Sequence, residues 1–110
     1  MIDVTNNVLF LTSRNGTDLD DLIRNARTIS DSGSHVQVLL IGDAVLSTVR
    51  GSTSSKTIQS VSPPIEFLAC KEDLESRGLA QKAEQTVRAL DYGEIVDLLM
   101  TNDDRLVNYV

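Results

Sequence analysis

The chain has 110 residues, 41% of them hydrophobic and 24% charged, which suits one domain over residues 1–110 with its own core and excludes disorder. Sixteen acidic residues against ten basic ones give a net charge of −6, and there is no Trp, so a phosphate-binding footprint or a base-stacking platform, and with it direct nucleic-acid binding, is not expected. One cysteine and one histidine allow neither an internal disulfide nor a zinc-ligand spacing, so no metal and no cofactor is expected; with no apolar run of roughly 18 residues and no signal-like start, a cytoplasmic protein without a membrane partner is.

In chain order, Val8-Leu9-Phe10-Leu11 reads as a first buried strand that ends in the polar turn Thr12-Ser13-Arg14-Asn15-Gly16. From Thr17, a plausible N-cap, Leu19, Leu22, Ile23, Ala26 and Ile29 recur at spacings of three and four and predict an amphipathic helix. Asp31-Ser32-Gly33-Ser34 ends it. Val36 to Ile41 is apolar almost throughout, as in a parallel strand covered on both faces. Asp43 is placed to cap a two-turn helix, Ala44 to Arg50, closed by Gly51, and the Ser/Thr-rich stretch from Gly51 to Pro64 reads as a long surface loop.

After Pro63-Pro64, Ile65 to Ala69 is a third buried strand, and Lys71 to Arg77 is a helix that stops at Gly78. Ala80 to Thr86 is a polar connection or an irregular continuation of that helix. Val87 to Leu90 is a short fourth strand, and Asp91 opens a helix with Glu94 as its capping-box partner and Ile95, Val96, Leu98 and Leu99 as its buried side. Thr101-Asn102-Asp103-Asp104 breaks this helix, and Leu106 to Val110 alternates as a final strand. The pattern predicts an α/β fold, a three-layer α/β/α domain with a mostly parallel sheet of about five strands. Ligands of such sheets gather at the carboxyl ends of the strands, which would collect Ser13, Arg14, Gly42, Asp43, Cys70, Lys71, Asp91 and Tyr92.

Among these, Cys70 carries the most chemistry, because it lies where a buried strand meets a helix start. Free N–H groups and the positive end of the helix dipole favour a thiolate there, and Lys71 acts in the same direction, whereas Glu72 and Asp73 oppose it. The alternative is an inert, buried cysteine acting as a small hydrophobe. Other chemistries lack their residues. Gly42, Gly51, Gly78 and Gly93 are isolated, with no phosphate-binding signature, and a response regulator would need an aspartate where Cys70 stands. His35 precedes the second strand, at the edge opposite Cys70, so it cannot serve a Cys-His pair.

Three blocks carry a resemblance: Leu39-Leu40-Ile41-Gly42-Asp43-Ala44-Val45, then Ala69-Cys70-Lys71-Glu72-Asp73-Leu74-Glu75-Ser76-Arg77-Gly78-Leu79, then Asp91-Tyr92-Gly93-Glu94-Ile95-Val96-Asp97-Leu98-Leu99. In this order they resemble the DsrE/DsrF/DsrH sulfur-relay superfamily, which includes the TusBCD proteins of tRNA thiolation, and in particular its small DsrH/TusB-like branch. The resemblance implies a subunit of a homo- or hetero-oligomeric sulfurtransferase system, acting with related subunits and with persulfide donor and acceptor proteins. The cysteine of the catalytic DsrE/TusD branch lies at the strand end matching Cys70. The cysteine noted in the DsrH branch follows the first strand, where this chain has Thr12-Ser13-Arg14. A persulfide carrier working through Cys70, with Lys71, Ser13, Gly42, Asp43 and Tyr92 around it, and a non-catalytic scaffold both follow from the resemblance.

Overall fold

A computed structural model describes residues 7–14, 17–62, 64–101 and 106–108. The turn at Asn15-Gly16, the side chain of Thr17, Pro63, the break at Asn102–Asp104 and the end of the last strand at Tyr109-Val110 lie outside the described residues.

Five strands, β1 (Asn7–Thr12), β2 (His35–Leu40), β3 (Glu66–Cys70), β4 (Arg88–Leu90) and β5 (Leu106–Asn108), form one sheet in the order β4-β3-β2-β1-β5. Every pairing is parallel. Four α-helices, α1 (Thr17–Asp31), α2 (Thr53–Val61), α3 (Lys71–Ser76) and α4 (Tyr92–Thr101), connect them, together with a 3₁₀ segment, Gly42–Thr48.

The strand order decides where the helices lie. From β1 to β4 the chain steps across the sheet in one direction, and right-handed crossovers put their helices on one face. There Leu19, Leu22, Ile23 and Ala26 of α1, Ala44 and Val45, Ile58 of α2 and Leu74 of α3 pack on Phe10, Val38 and Phe67. Only the step from β4 back to β5 runs the other way. The opposite face, Leu9, Leu11, Leu39, Leu68, Cys70 and Leu90, is therefore covered, among the described residues, by α4, through Ile95 with Leu98 and Leu99.

Two expectations are corrected. The stretch Gly51 to Pro64 is not a loop throughout, since it contains α2. The Ser52 hydroxyl caps α2 by accepting the Ser55 N–H at 3.1 Å, Ile58 and Val61 are buried, and small Ser55 lets the helix lie close. Five hydroxyl-bearing residues in the helix thus disguise an element whose apolar face is only two residues wide. The second correction concerns Asp43. The segment after β2 is 3₁₀ rather than α, its N-cap is Ile41 without a side-chain bond, and Gly42 takes φ +54°, a conformation that favours glycine. Residues 80–86 run as turns, joined to the end of the 3₁₀ segment by the Val49–Ala83 bridge and by the Glu84 N–H donating to the Thr48 carbonyl at 2.7 Å.

Candidate functional site

Cys70 is the last residue of β3 and at the same time the N-cap of α3, so no loop intervenes. Helix α3 closes at its far end by a glycine turn. Gly78, at φ +67°, donates to the Glu75 carbonyl at 3.1 Å, and Leu79 donates back to Leu74 at 2.8 Å, with both leucines in the main core. The block Asp73-Leu74-x-x-Arg77-Gly78-Leu79 therefore fixes the turn that follows Cys70.

Its two charged members tie α3 to the end of β2. The Asp73 carboxylate accepts the Gly42 N–H at 2.8 Å, and Arg77 donates to Asp43 at 3.1 Å while lying 3.7 Å from Asp73. Ser13, just past β1, faces the same glycine: a Cβ on Gly42 would lie 3.5 Å from the Ser13 Cβ. Three strand ends thus meet around one backbone N–H.

The thiol sits beside this knot and is covered. Cys70 is 1% exposed, packed among leucines of the α4 face, and its Sγ–H points to Oε1 of Glu72 at 3.8 Å. The other carboxylate oxygen of Glu72 accepts the backbone N–H of Tyr92 at 3.3 Å, so Glu72 joins the thiol to the start of α4. Burial pushes the thiol's pKa up, and the Asp73 carboxylate adds to this, against a smaller downward pull from the backbone N–H groups of Asp73 and Glu72. The helix start is present, but desolvation outweighs it. The Tyr92 phenol is also pushed up, by partial desolvation and then by Asp73, Cys70 and Glu72.

Of the residues singled out in the sequence, Ser13, Gly42, Asp43, Cys70 and Tyr92 do converge on this edge. Lys71 is exposed and is not a hydrogen-bonding partner of the thiol. Sequence reasoning assigned Glu72 and Asp73 only an opposing charge, and did not see that one is the thiol's partner and the other the keystone of the knot. It also missed a cleft of about 310 Å³ between α4 and the sheet, with Leu68, Leu90 and Leu98 as apolar lining and Gln37, Arg88, Glu94, Asp97 and Thr101 as polar lining. The signal was available: Gln37 and Glu66 each interrupt an otherwise apolar strand. They are register partners, bonded at 2.8 Å, and Arg88 lies 3.9 Å from Glu66. Among the described residues, no group of three or more His, Cys, Asp or Glu side chains is placed to hold a metal, and no helix is long and apolar enough to cross a membrane.

Comparison with solved structures supports the architecture. The YchN protein from E. coli superposes with a TM-score of 0.78 at 16% identity, over 96% of this chain and 99% of that one. A protein of unknown function from Methanobacterium thermoautotrophicum gives 0.77 at 15% identity, over 96% and 97%. A conserved protein of unknown function from Bacteroides thetaiotaomicron gives 0.79 at 16% identity, over 94% of each chain. At these identities the likeness is one of fold. No curated protein matches by sequence. The family model described as DsrH like protein matches residues 13–105, the span that holds the knot, the thiol and α4, and the chain belongs to that DsrH-like family.

Proposed function

We propose that this chain is a cytoplasmic interaction subunit of a sulfur-relay oligomer, serving tRNA thiolation or sulfur metabolism, with Cys70 kept as a protonated, covered thiol in the isolated subunit. Membership of the DsrH-like family points to sulfur relay as the process. The observation that carries the subunit's role is the state of Cys70: 1% exposed, bonded to Glu72 and with its pKa raised by burial. A thiol in that state is a poor nucleophile, because the thiolate is the reacting form.

A second reading, the persulfide carrier, is favoured by one specific observation. Cys70 is the N-cap of α3, with the Glu72 and Asp73 N–H groups placed to favour a charged sulfur once the cover moves. In that reading Glu72 takes the thiol proton, and the Cys70 thiolate attacks the terminal sulfur of a donor persulfide. A new bond forms between Cys70 and that sulfur, the donor's S–S bond breaks, and the donor leaves as a thiolate. An acceptor thiolate later removes the sulfur by the same exchange, with no net oxidation at either step.

Intact mass after incubation with a cysteine desulfurase and cysteine separates the two. The interaction subunit is expected to stay unmodified, both alone and with its related subunits. A gain of one sulfur atom that dithiothreitol removes and Cys70→Ser abolishes would replace it with the carrier.

A further inference from the structure

Among the described residues, the second face of the sheet has a single covering helix, and that helix carries more apolar surface than the sheet buries. Ile95 is buried and Leu98 and Leu99 are partly so, yet Tyr92, Val96 and Met100 are 57%, 52% and 73% exposed. Their spacing of four residues lines them along one stripe on the outer surface of α4. Across Asp97 and Thr101 from the stripe opens the cleft described above, floored by Leu68 and Leu90.

The charges around this surface select its occupant. Helix α4 contains no Lys or Arg, and Glu94 and Asp97 both line the cleft. The one cation among the described residues that line it, Arg88, already lies 3.9 Å from Glu66. A second copy of this chain docking through a two-fold axis would bring the same acidic patch, with no Lys or Arg on its α4, between molecules that each carry a net charge of −6. A Lys or Arg from a different subunit fits instead, with its aliphatic stem over the leucine floor and its charged head at Glu94 and Asp97.

We infer that the Tyr92-Val96-Met100 stripe and the adjoining acidic cleft are the docking surface for a different protein subunit, one that presents an apolar patch edged by Lys or Arg. This deepens the interaction-subunit reading and rests on it. The occupant's apolar side chains cover Val96 and Met100, and its cations enter the cleft.

The probe is a labelled amphipathic helical peptide with a leucine stripe flanked by lysines, titrated into the intact chain and read by fluorescence anisotropy. Binding is expected, with none for the same peptide carrying glutamates or for a scrambled peptide of equal charge. Val96→Asp, with its fold checked by a thermal melt, is expected to weaken binding by about tenfold. Asp97→Lys is expected to move the preference toward the glutamate peptide. Absence of binding by the lysine peptide, equal binding by the scrambled one, or a dimer of the chain alone that Val96→Asp dissociates would overturn the inference. Purifying the tagged full chain from its own cells separates the two levels. No other sulfur-relay subunit with the wild type would sink the interaction-subunit reading, while a partner retained undiminished by Val96→Asp would sink only the assignment to α4.

Discussion

Asp73 shows how one side chain can hold structure and suppress reactivity together. Its carboxylate accepts the Gly42 N–H at 2.8 Å, braces Arg77 and raises the thiol's pKa through its charge. Asn keeps an acceptor oxygen but loses the charge, so Asp73→Asn is expected to leave the fold nearly intact and to speed alkylation of Cys70 by iodoacetamide at neutral pH. Asp73→Ala removes both, leaves the part-buried Gly42 N–H without its partner, and is expected to cost about 1–3 kcal/mol in urea unfolding. Equal alkylation rates for Asn and wild type would show that the carboxylate does not control the thiol. The position of Cys70 at the end of a buried strand was legible because β-branched and aromatic residues precede it and Lys71 to Ser76 are free of Gly and Pro. Its ionisation was not, because desolvation depends on what α4 brings over it from twenty residues further along.

At the scale of elements, the caps carry local stability. Asp91 and Glu94 form the reciprocal pair the sequence predicted: the Glu94 N–H donates to Asp91 at 2.8 Å and the Asp91 N–H to Glu94 at 3.1 Å. Asp91→Ala is expected to destabilise the protein by about 1 kcal/mol, read as a lower Tm by differential scanning calorimetry. The two long helices should also differ in local opening. Helix α1 buries Leu19, Leu22, Ile23 and Ala26, whereas Ile95 is the one buried residue of α4. Native-state hydrogen exchange is therefore expected to be slower by about tenfold or more at the centre of α1 than in α4. Comparable protection would show that α4 is held by more than these contacts. Both helices were readable from apolar spacing, and α4 also from its capping pair. Helix α2 was not, because Ile58 and Val61 are its only buried apolar residues and two of its hydroxyls bond the helix backbone: Thr57 bonds the Thr53 carbonyl and Ser60 that of Thr57.

Across the whole molecule, the covered thiol couples folding to pH. The folded thiol ionises at higher pH than the unfolded one, so the unfolded chain loses its proton first. This contribution to stability is full below about pH 8.5 and is lost as the pH rises through the folded pKa. Wild type is expected to lose stability more steeply than Cys70→Ala above that point in urea titrations, and parallel curves would contradict a buried, protonated Cys70. The α/β class and the parallel sheet were legible because near-continuous apolar strands alternate with helical spacing. The cleft and the exposed stripe were not, since they depend on which face each crossover takes. A periodicity rule credits Val96 and Leu98 to the same buried side, but only the return from β4 to β5 determines which of them meets the sheet.

That return has a temporal consequence. Strand β1 is interior to the sheet, yet its second neighbour, β5, comes from much further along the chain, with Leu9 beside Leu106. During synthesis β1 can pair with β2, and then β3 and β4 can add in turn, while the other flank of β1 stays unzipped until β5 has left the ribosome. Translation that stalls after α4 would therefore release a nascent chain with β1 bared along one side, a template for unwanted strand addition that pairing with β5 removes.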